Sequence, residues 1–341
     1  MFGQHLSLTV AIPTYHGERH LTEALQSILG QEGVSFDLLV CDDRSEDQTL
    51  SLVREVAGDK ARILVNTERL GLAGNWNQCV QQCSTDLIAI FHQDDRMEAD
   101  HLKTHVQAFE GYPQAGFVCS EASVIDETGR GISEQIIERG GVSAVDRVFA
   151  PREFLPWLAV RNPLRCSSIT LNREAHRAVG GFDASFRYVV DWDFWIRVSR
   201  SWPVVWKAHP TIAMRWHTGS ETHRFRRGDE DLTEIQRLQE TFFASMSDHP
   251  DLPSWKKASR RRLARAYLNR THDSLKGADT ARARVYLRKA FELDRGVVRA
   301  VAADPRLAIA LAGLSIAPRW LEAWYRSRAV GNGPNSHPRT S

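Results

Sequence analysis

"LSLTVAIPTYHGERHLTEALQSILGQEGVSFDLLVCDD", residues 6–43, decides the architecture. "LSLTVAIP" is rich in β-branched side chains and reads as a strand. "LTEALQSILGQ" repeats its apolar residues at helical spacing, and "FDLLVCDD" is a second short apolar run ending in acids. The alternation continues with "DQTLSLVREVA" as helix, "ARILVN" as strand, "AGNWNQCVQQC" as helix and "DLIAIFHQDD" as strand. Strands separated by helices in this way predict a largely parallel sheet joined by crossover helices. Ligands of such open sheets bind beyond the carboxyl ends of the strands. Polar residues sit at those ends: Thr14 and Tyr15, then Asp42 and Asp43, then Asp94 and Asp95.

Further along, "EASVIDETGRGISEQ" predicts strand, turn and strand around Gly129 and Gly131, and Pro151, Pro156 and Pro163 punctuate the next segment. "SSITLNREAHRAVGGFDASFRYVVDWDFWIRVSR" predicts a strand, a short helix, a Gly-Gly turn and an aromatic helix opening at Asp191. A last strand-like run, "PVVWKAHPTIAMRWH", ends in Arg215 and His217. From Asp231 the composition changes: a helix to Phe243, then Pro250 and Pro253, then two helices joined around Gly277. In that pair Leu263 and Tyr267 are expected to face Val285, Leu287 and Phe291, as in a lone tetratricopeptide hairpin. The expected organisation is an α/β domain over 1–230, a basic helical extension over 231–330, and a disordered tail over 331–341.

Of the 341 residues, 42% are hydrophobic and 25% charged, values of an ordinary soluble globular chain. Charge is unevenly placed. Lys256 to Arg328 holds 18 Lys/Arg against 6 Asp/Glu, while the remainder holds 26 against 36. That asymmetry points to an acidic partner surface, an anionic membrane in the first place, or equally to a helical cap whose Arg residues are simply solvated; nucleic acid is not expected, because no recognised binding module accompanies the charge. Cys41, Cys79, Cys83, Cys119 and Cys166 are an odd count without zinc-site spacing, which indicates a reduced, cytoplasmic setting. The N-terminus lacks a secretion signal, and the longest apolar stretch, Leu307 to Ala317, is far short of the roughly 20 residues that span a bilayer.

Taken in order, the motifs resemble the family 2 nucleotide-sugar glycosyltransferases, whose fold is the α/β domain called GT-A. The likeness runs from about Leu6 to Ser220 and rests on "VAIPTYHGERHLTEALQSIL", "LLVCDDRSEDQT", "NTERLGLAGNWNQCV", "FHQDDRMEADHL", "GGFDASFRYVVDWDFWIRV" and "MRWHTGS". It implies a mixed, mainly parallel sheet with flanking helices, here followed by a C-terminal helical extension. It also implies inverting transfer of a sugar from a UDP-, GDP- or dTDP-sugar to a hydroxyl of a glycan or lipid-linked acceptor, in cell-surface polysaccharide assembly. Such work belongs in the cytoplasm or on the inner face of the membrane.

The same resemblance assigns residues. Asp94 aligns with the second acid of the D-x-D motif and is the expected ligand of Mg²⁺ or Mn²⁺, hard cations suited to carboxylate and phosphate oxygens. His92 stands where the first acid usually does. Asp95 braces the loop or the donor sugar. Asp43 accepts from the base, Asp42 lies near the ribose or supports the turn, and Thr14, Tyr15 and Asn77 line the nucleotide. Asp191 is the expected general base, and it can also cap the helix behind it. Val190 replaces the usual Glu beside it. One of Trp192 and Trp195 is expected in the core and the other near the acceptor, and Arg215 and His217 are expected at the diphosphate.

A dehydrogenase would need G-x-G-x-x-G after the first strand, and a nucleotidyltransferase a Gly-rich loop there; "PTYHGERH" has one Gly. The remaining alternative is a catalytically silent sugar-nucleotide-binding scaffold of the same fold, which His92 and Val190 bring into view.

Overall fold

The computed structural model describes residues 6–132 and 141–297. The chain divides into two compact units at Glu234 and Ile235, a few residues beyond the boundary expected from composition. In chain order the first unit contains β1 (Leu8–Thr14), α1 (Leu21–Leu29), β2 (Asp37–Asp42), α2 (Thr49–Ala57), β3 (Ala61–Val65), α3 (Gly71–Gln82) and β4 (Leu87–Ile90). There follow β5 (Arg96–Met97), α4 (His101–Gly111), β6 (Phe117–Ile125), β7 (Arg147–Phe149), α5 (Leu155–Val160), β8 (Ile169–Asn172), α6 (Arg173–Val179), α7 (Val190–Ser201), β9 (Val204–Arg215) and α8 (Glu221–Phe225). Helix α9 (Glu230–Ala244) crosses the division, and the second unit continues with α10 (Leu252–Lys276) and α11 (Thr280–Leu293).

The described strands form one nine-stranded sheet in the order β3-β2-β1-β4-β8-β6-β9-β5, with β7 also on β9. Strands β3, β2, β1 and β4 are mutually parallel, as the alternating pattern requires. Strand β8 reverses direction against both β4 and β6, so the sheet is mixed on its far side. Central β1 is apolar almost throughout because helices cover both faces, whereas edge strand β3 is only partly buried. Helix α1 buries Leu21, Ala24, Leu25 and Ile28, the i, i+3, i+4, i+7 stripe that its sequence carries. Each fully buried Leu or Ile contributes about 2 kcal/mol of apolar burial.

Pro13 shows how the strand ends open a crevice. Odd-numbered residues of β1 direct their backbone polar groups towards β4, as the hydrogen bond from the Phe91 N–H to the Ala11 carbonyl shows. The pairing with β4 stops at Ala11 and Ile90, while the pairing with β2 runs on to Thr14 and Asp42. A proline at position 13 therefore gives up a donor on the side where β4 has already left, which is where a central strand tolerates it. Past this point the chain after Ile90 turns away from β1 as the loop carrying His92 to Asp95.

Strand β9 pairs with β6 in parallel through an irregularity at Ser120 to Ala122 and brings Arg215 opposite Ile125. The predicted turn after β6 forms with Gly129 at φ 84°, and the returning segment makes a bridge between Ile125 and Gly131. The rest of the expected second strand, residues 133–140, lies outside the described residues, as do the apolar run at 307–317 and the tail at 331–341.

In the second unit α10 and α11 are joined around Gly277 as the sequence implies. The phase of α11 differs from expectation. Ala283, Tyr286 and Ala290 are its buried positions, and Val285 is 52% exposed. Tyr286 packs against Tyr267 with ring centroids 5.9 Å apart, because a Tyr flanked by alanines makes a better contact with the broad Tyr267 ring than β-branched Val285.

Candidate active site

The carboxyl ends of β1 and β2 are knitted together by their acids. Asp42 is fully buried and accepts hydrogen bonds from Thr14 Oγ1 at 2.8 Å, Ser45 Oγ at 2.6 Å and the Ser45 N–H at 2.8 Å. Asp43, also buried, accepts from Asn66 Nδ2 at 3.0 Å and from the N–H groups of Leu70 and Gly71 at 2.7 and 2.9 Å. It thus places a negative charge on the unsatisfied donors at the start of α3, a favourable position for an anion. The Tyr15 ring is covered on one side by His16, at 4.2 Å and nearly parallel, while the Arg69 guanidinium also lies over it, 3.8 Å from the ring centre.

The loop after β4 is organised from three directions. Gln93 pairs with both backbone groups of Tyr15, each at 3.0 Å, and Gly17 lets that amide approach because a Cβ there would lie 2.3 Å from Gln93 Oε1. Asp95 is buried and accepts from Ser167 Oγ at 2.5 Å and from the Arg215 N–H at 2.8 Å. Burial, followed by the neighbouring Asp94 charge, pushes its carboxyl up to about 6. Asp94 keeps 24% of its side chain exposed, and its Oδ2 lies 2.9 Å from His217 Nε2. Burial opposes ionisation of Asp94, but the His217 hydrogen bond and the nearby His92 and His217 imidazoles hold the carboxyl below its ordinary value.

Among the described residues, two groups of side chains bring metal-ligating atoms within 4.8 Å of one another. One is His92, Asp94 and Asp95; the other is His20, Glu127 and His217. His92 Nδ1 lies 3.8 Å from Asp95 Oδ2, so the residue in the first-acid position presents a donor atom of its own. Two carboxylates and an imidazole are a donor set that fits a divalent cation.

Asp191 lies in the first turn of α7 and is half-buried. Its Oδ1 accepts from the Trp192 N–H at 2.7 Å and its Oδ2 from Asn162 Nδ2 at 2.9 Å. Asn162 and Ser167 belong to one short connector between α5 and β8, so a single segment contacts both Asp191 and Asp95. Between them Cys166 is buried, and its thiol is pushed well up by burial and then by the charges of Asp191 and Asp95. Trp76 adds a second link: its indole packs edge-on against Phe182, 5.1 Å away, and tilted against His92, 5.5 Å away.

The other assigned residues have these partners in the structure, and one expectation, a Trp near the acceptor, is corrected. Thr14 is buried and donates to Asp42, so it belongs to the turn. Asn77 gives its Nδ2 to the Phe182 carbonyl and receives the Phe182 N–H on Oδ1, both at 2.8 Å. A primary amide matches a peptide group in this way, and Asn77 ties α3 to the Gly-Gly turn. Arg215 has a side chain only 1% exposed; it donates to the carbonyls of Asp94 and Asp126 and pairs with Glu23, so it organises the loops from beneath. Trp192 and Trp195 are both in the core, at 5% and 1% exposure, with Trp192 Nε1 donating to the Leu158 carbonyl.

An ordered set of acids surrounds the opening at the ends of β1, β2 and β4, and this part of the chain matches a known family. The profile of glycosyl transferase family 2 matches residues 9–171. Over those residues the chain is similar to glycosyl transferase family 2. An uncharacterised protein of Mycobacterium tuberculosis is 28% identical to this chain over 240 residues, 68% of the chain and 74% of that protein. The UDP-Glc:α-D-GlcNAc-diphosphoundecaprenol β-1,3-glucosyltransferase of Escherichia coli is 30% identical over 99 residues; this covers 29% of the chain and 39% of that enzyme's length. Among solved structures, S. aureus TarS 1–349 in complex with UDP-GlcNAc superposes with a TM-score of 0.61 at 15% identity, covering 96% of this chain and 89% of that one. Mannosyltransferase PcManGT from Pyrobaculum calidifontis, in complex with GDP-Man and Mn²⁺, gives 0.53 at 20% identity, covering 96% and 87%. At such identities the likeness establishes the GT-A fold.

Sequence reasoning passed over Asn162, Gln93, Ser167 and His20 in this site. Asn162 stands in an Asn-Pro pair and Gln93 between His92 and Asp94, positions a polar residue occupies in any loop, so their partners were the only signal.

Proposed function

We propose that the chain is an inverting, metal-dependent glycosyltransferase that moves a sugar from a nucleoside-diphosphate donor, UDP-, GDP- or dTDP-linked, to a hydroxyl of a glycan or lipid-linked acceptor. What supports the reading is the connector at 162–167, which contacts Asp191 at one end and Asp95 at the other, so that base and metal loop share one rim. Asp191 takes the proton of the acceptor hydroxyl as that oxygen attacks the anomeric carbon and the diphosphate leaves from the opposite face. Asp94, with His92 beside it, would hold Mg²⁺ or Mn²⁺, which neutralises the charge on the departing diphosphate. His217 orients Asp94 through its Nε2, and Asp95 holds the loop in place. The acceptor class follows from the undecaprenol-linked substrate in the name of the E. coli relative.

Under the same reading the enzyme works at the inner membrane face. Lys256, Lys257, Arg260, Arg261 and Arg265 are exposed on α10, which carries Asp273 as its only acid, and a surface of this kind is attracted to anionic headgroups. No helix among the described residues is long and apolar enough to cross a membrane.

Sugar nucleotides screened for metal-dependent binding and turnover test the assignment, comparing the intact chain with Asp94→Ala and Asp191→Asn. Expected are donor binding that EDTA abolishes, its weakening in Asp94→Ala, and a loss of at least about a hundredfold in turnover with donor binding retained in Asp191→Asn. Unchanged turnover in Asp191→Asn overturns the mechanism.

A further inference from the structure

The Glu that commonly precedes the base in this family is Val190 here, and Val190 is buried. The acid at 191 therefore lacks the carboxyl neighbour, and its replacement comes from a distant part of the chain. Asn162 Nδ2 lies 2.9 Å from Asp191 Oδ2. The orientation of the Asn162 amide is fixed by its other end, because Oδ1 accepts the Leu164 N–H at 3.0 Å. A backbone N–H requires an oxygen opposite it and a carboxylate requires a donor, so the two partners together allow only one flip state of the amide. Pro163 follows Asn162 and holds the turn, and Arg161 before it is extended. The other carboxylate oxygen, Oδ1, is bonded to the Trp192 N–H on the rigid first turn of α7.

We propose that Asn162 is the positioning residue of the catalytic base: its N–H fixes the Asp191 carboxylate at the rim shared with Asp95 and takes the place of the missing Glu at 190. The inference rests on Asp191 being that base. A neutral amide acts differently from a carboxyl neighbour. It donates a hydrogen bond to the carboxylate, whereas a second acid would place a like charge beside it. Because the segment that carries Asn162 ends in Ser167, whose hydroxyl donates to Asp95, a displacement of the metal loop reaches the base through five residues of chain.

The test uses the full chain, with Asn162→Ala and Asn162→Asp beside Asp191→Asn, and reads donor binding, kcat, KM for the acceptor, and kcat/KM against pH. Asn162→Ala is expected to lower kcat about tenfold with donor binding unchanged, the scale of one hydrogen bond to a charged group. Its acidic limb is expected to move to higher pH. Asn162→Asp, which restores an acid beside the base, is expected to move that limb further in the same direction. Circular dichroism and donor binding show that each variant is folded. Acidic limbs that superimpose on the parent's in both variants overturn the proposal, as does a rise in KM with kcat untouched. If Asp191→Asn itself keeps full turnover, the assignment of the base has failed, an outcome distinct from failure of the Asn162 claim alone.

Discussion

Asp42–Asp43 and Asp94–Asp95 are the same dipeptide at the end of the same kind of buried strand, yet the fold uses them differently. Both acids of the first pair are buried and each accepts three hydrogen bonds from the protein. In the second pair Asp95 is committed to Ser167 and Arg215, while Asp94 stays a quarter exposed with one side-chain partner, His217. The difference follows from the sheet. Strands β1 and β2 run side by side to their ends, so residues beyond them find partners at once; β4 ends early, and its loop crosses an opening. An acid at a closed edge becomes part of the scaffold, and an acid at an open edge remains available to a ligand.

The largest expected effect is on Asp94. Asp94→Asn should reduce transfer at least about a hundredfold while the thermal midpoint stays within a few degrees, and an unfolded variant would break the contrast. Asp42→Ala should do the opposite. It leaves Thr14 Oγ1 and both donors of Ser45 without an acceptor, and denaturant titration should show a loss of about 3 kcal/mol. Asp43→Ala should cost about 2 kcal/mol, since it uncovers the first turn of α3 and releases Asn66.

The smallest effect comes from protons, on the far side of the sheet. His101 and His105 are fully buried, with Nδ1 atoms 2.6 Å from Thr211 Oγ1 and 2.9 Å from Thr170 Oγ1. Burial holds His101 down at about 3, and burial and then its neighbour His101 hold His105 well below its ordinary value. A base depressed in the folded state contributes stability that is present above about 6.5 and lost as pH falls below it towards the folded value. Lowering the pH from 7 to 6 should therefore cost about 0.7 kcal/mol per ring, measured by denaturant titration at both pH values. Replacing both rings in His101→Gln/His105→Gln should flatten the slope.

Much of the donor side was legible because its signals are local. Leu21, Ala24, Leu25 and Ile28 announce a helix face, and the run from Leu8 to Ile12 announces a central strand, whatever lies elsewhere in the chain. Roles were harder to read than places. Asn77 and Arg215 stand in the motifs where the family has polar residues, but one is taken up by Phe182 and the other by Glu23 and the carbonyls beneath the loop. The α11 phase was missed for a related reason: choosing Val285 over Tyr286 assumes that an aliphatic side chain packs inward, and the shape of Tyr267 decided otherwise.

By itself the sequence determined the order of strands and helices and the presence of acids at their carboxyl ends, since periodicity and β-branched content act within a dozen residues. Only the tertiary structure decided which of these acids stays open and what holds each of them. The partners that matter are remote along the chain: Asn162 and Asp191 lie 29 residues apart, Asp95 and Ser167 lie 72, and Asp95 and Arg215 lie 120. Hydrogen bonds over such separations depend on how strands are ordered in the sheet, and no local pattern encodes that order.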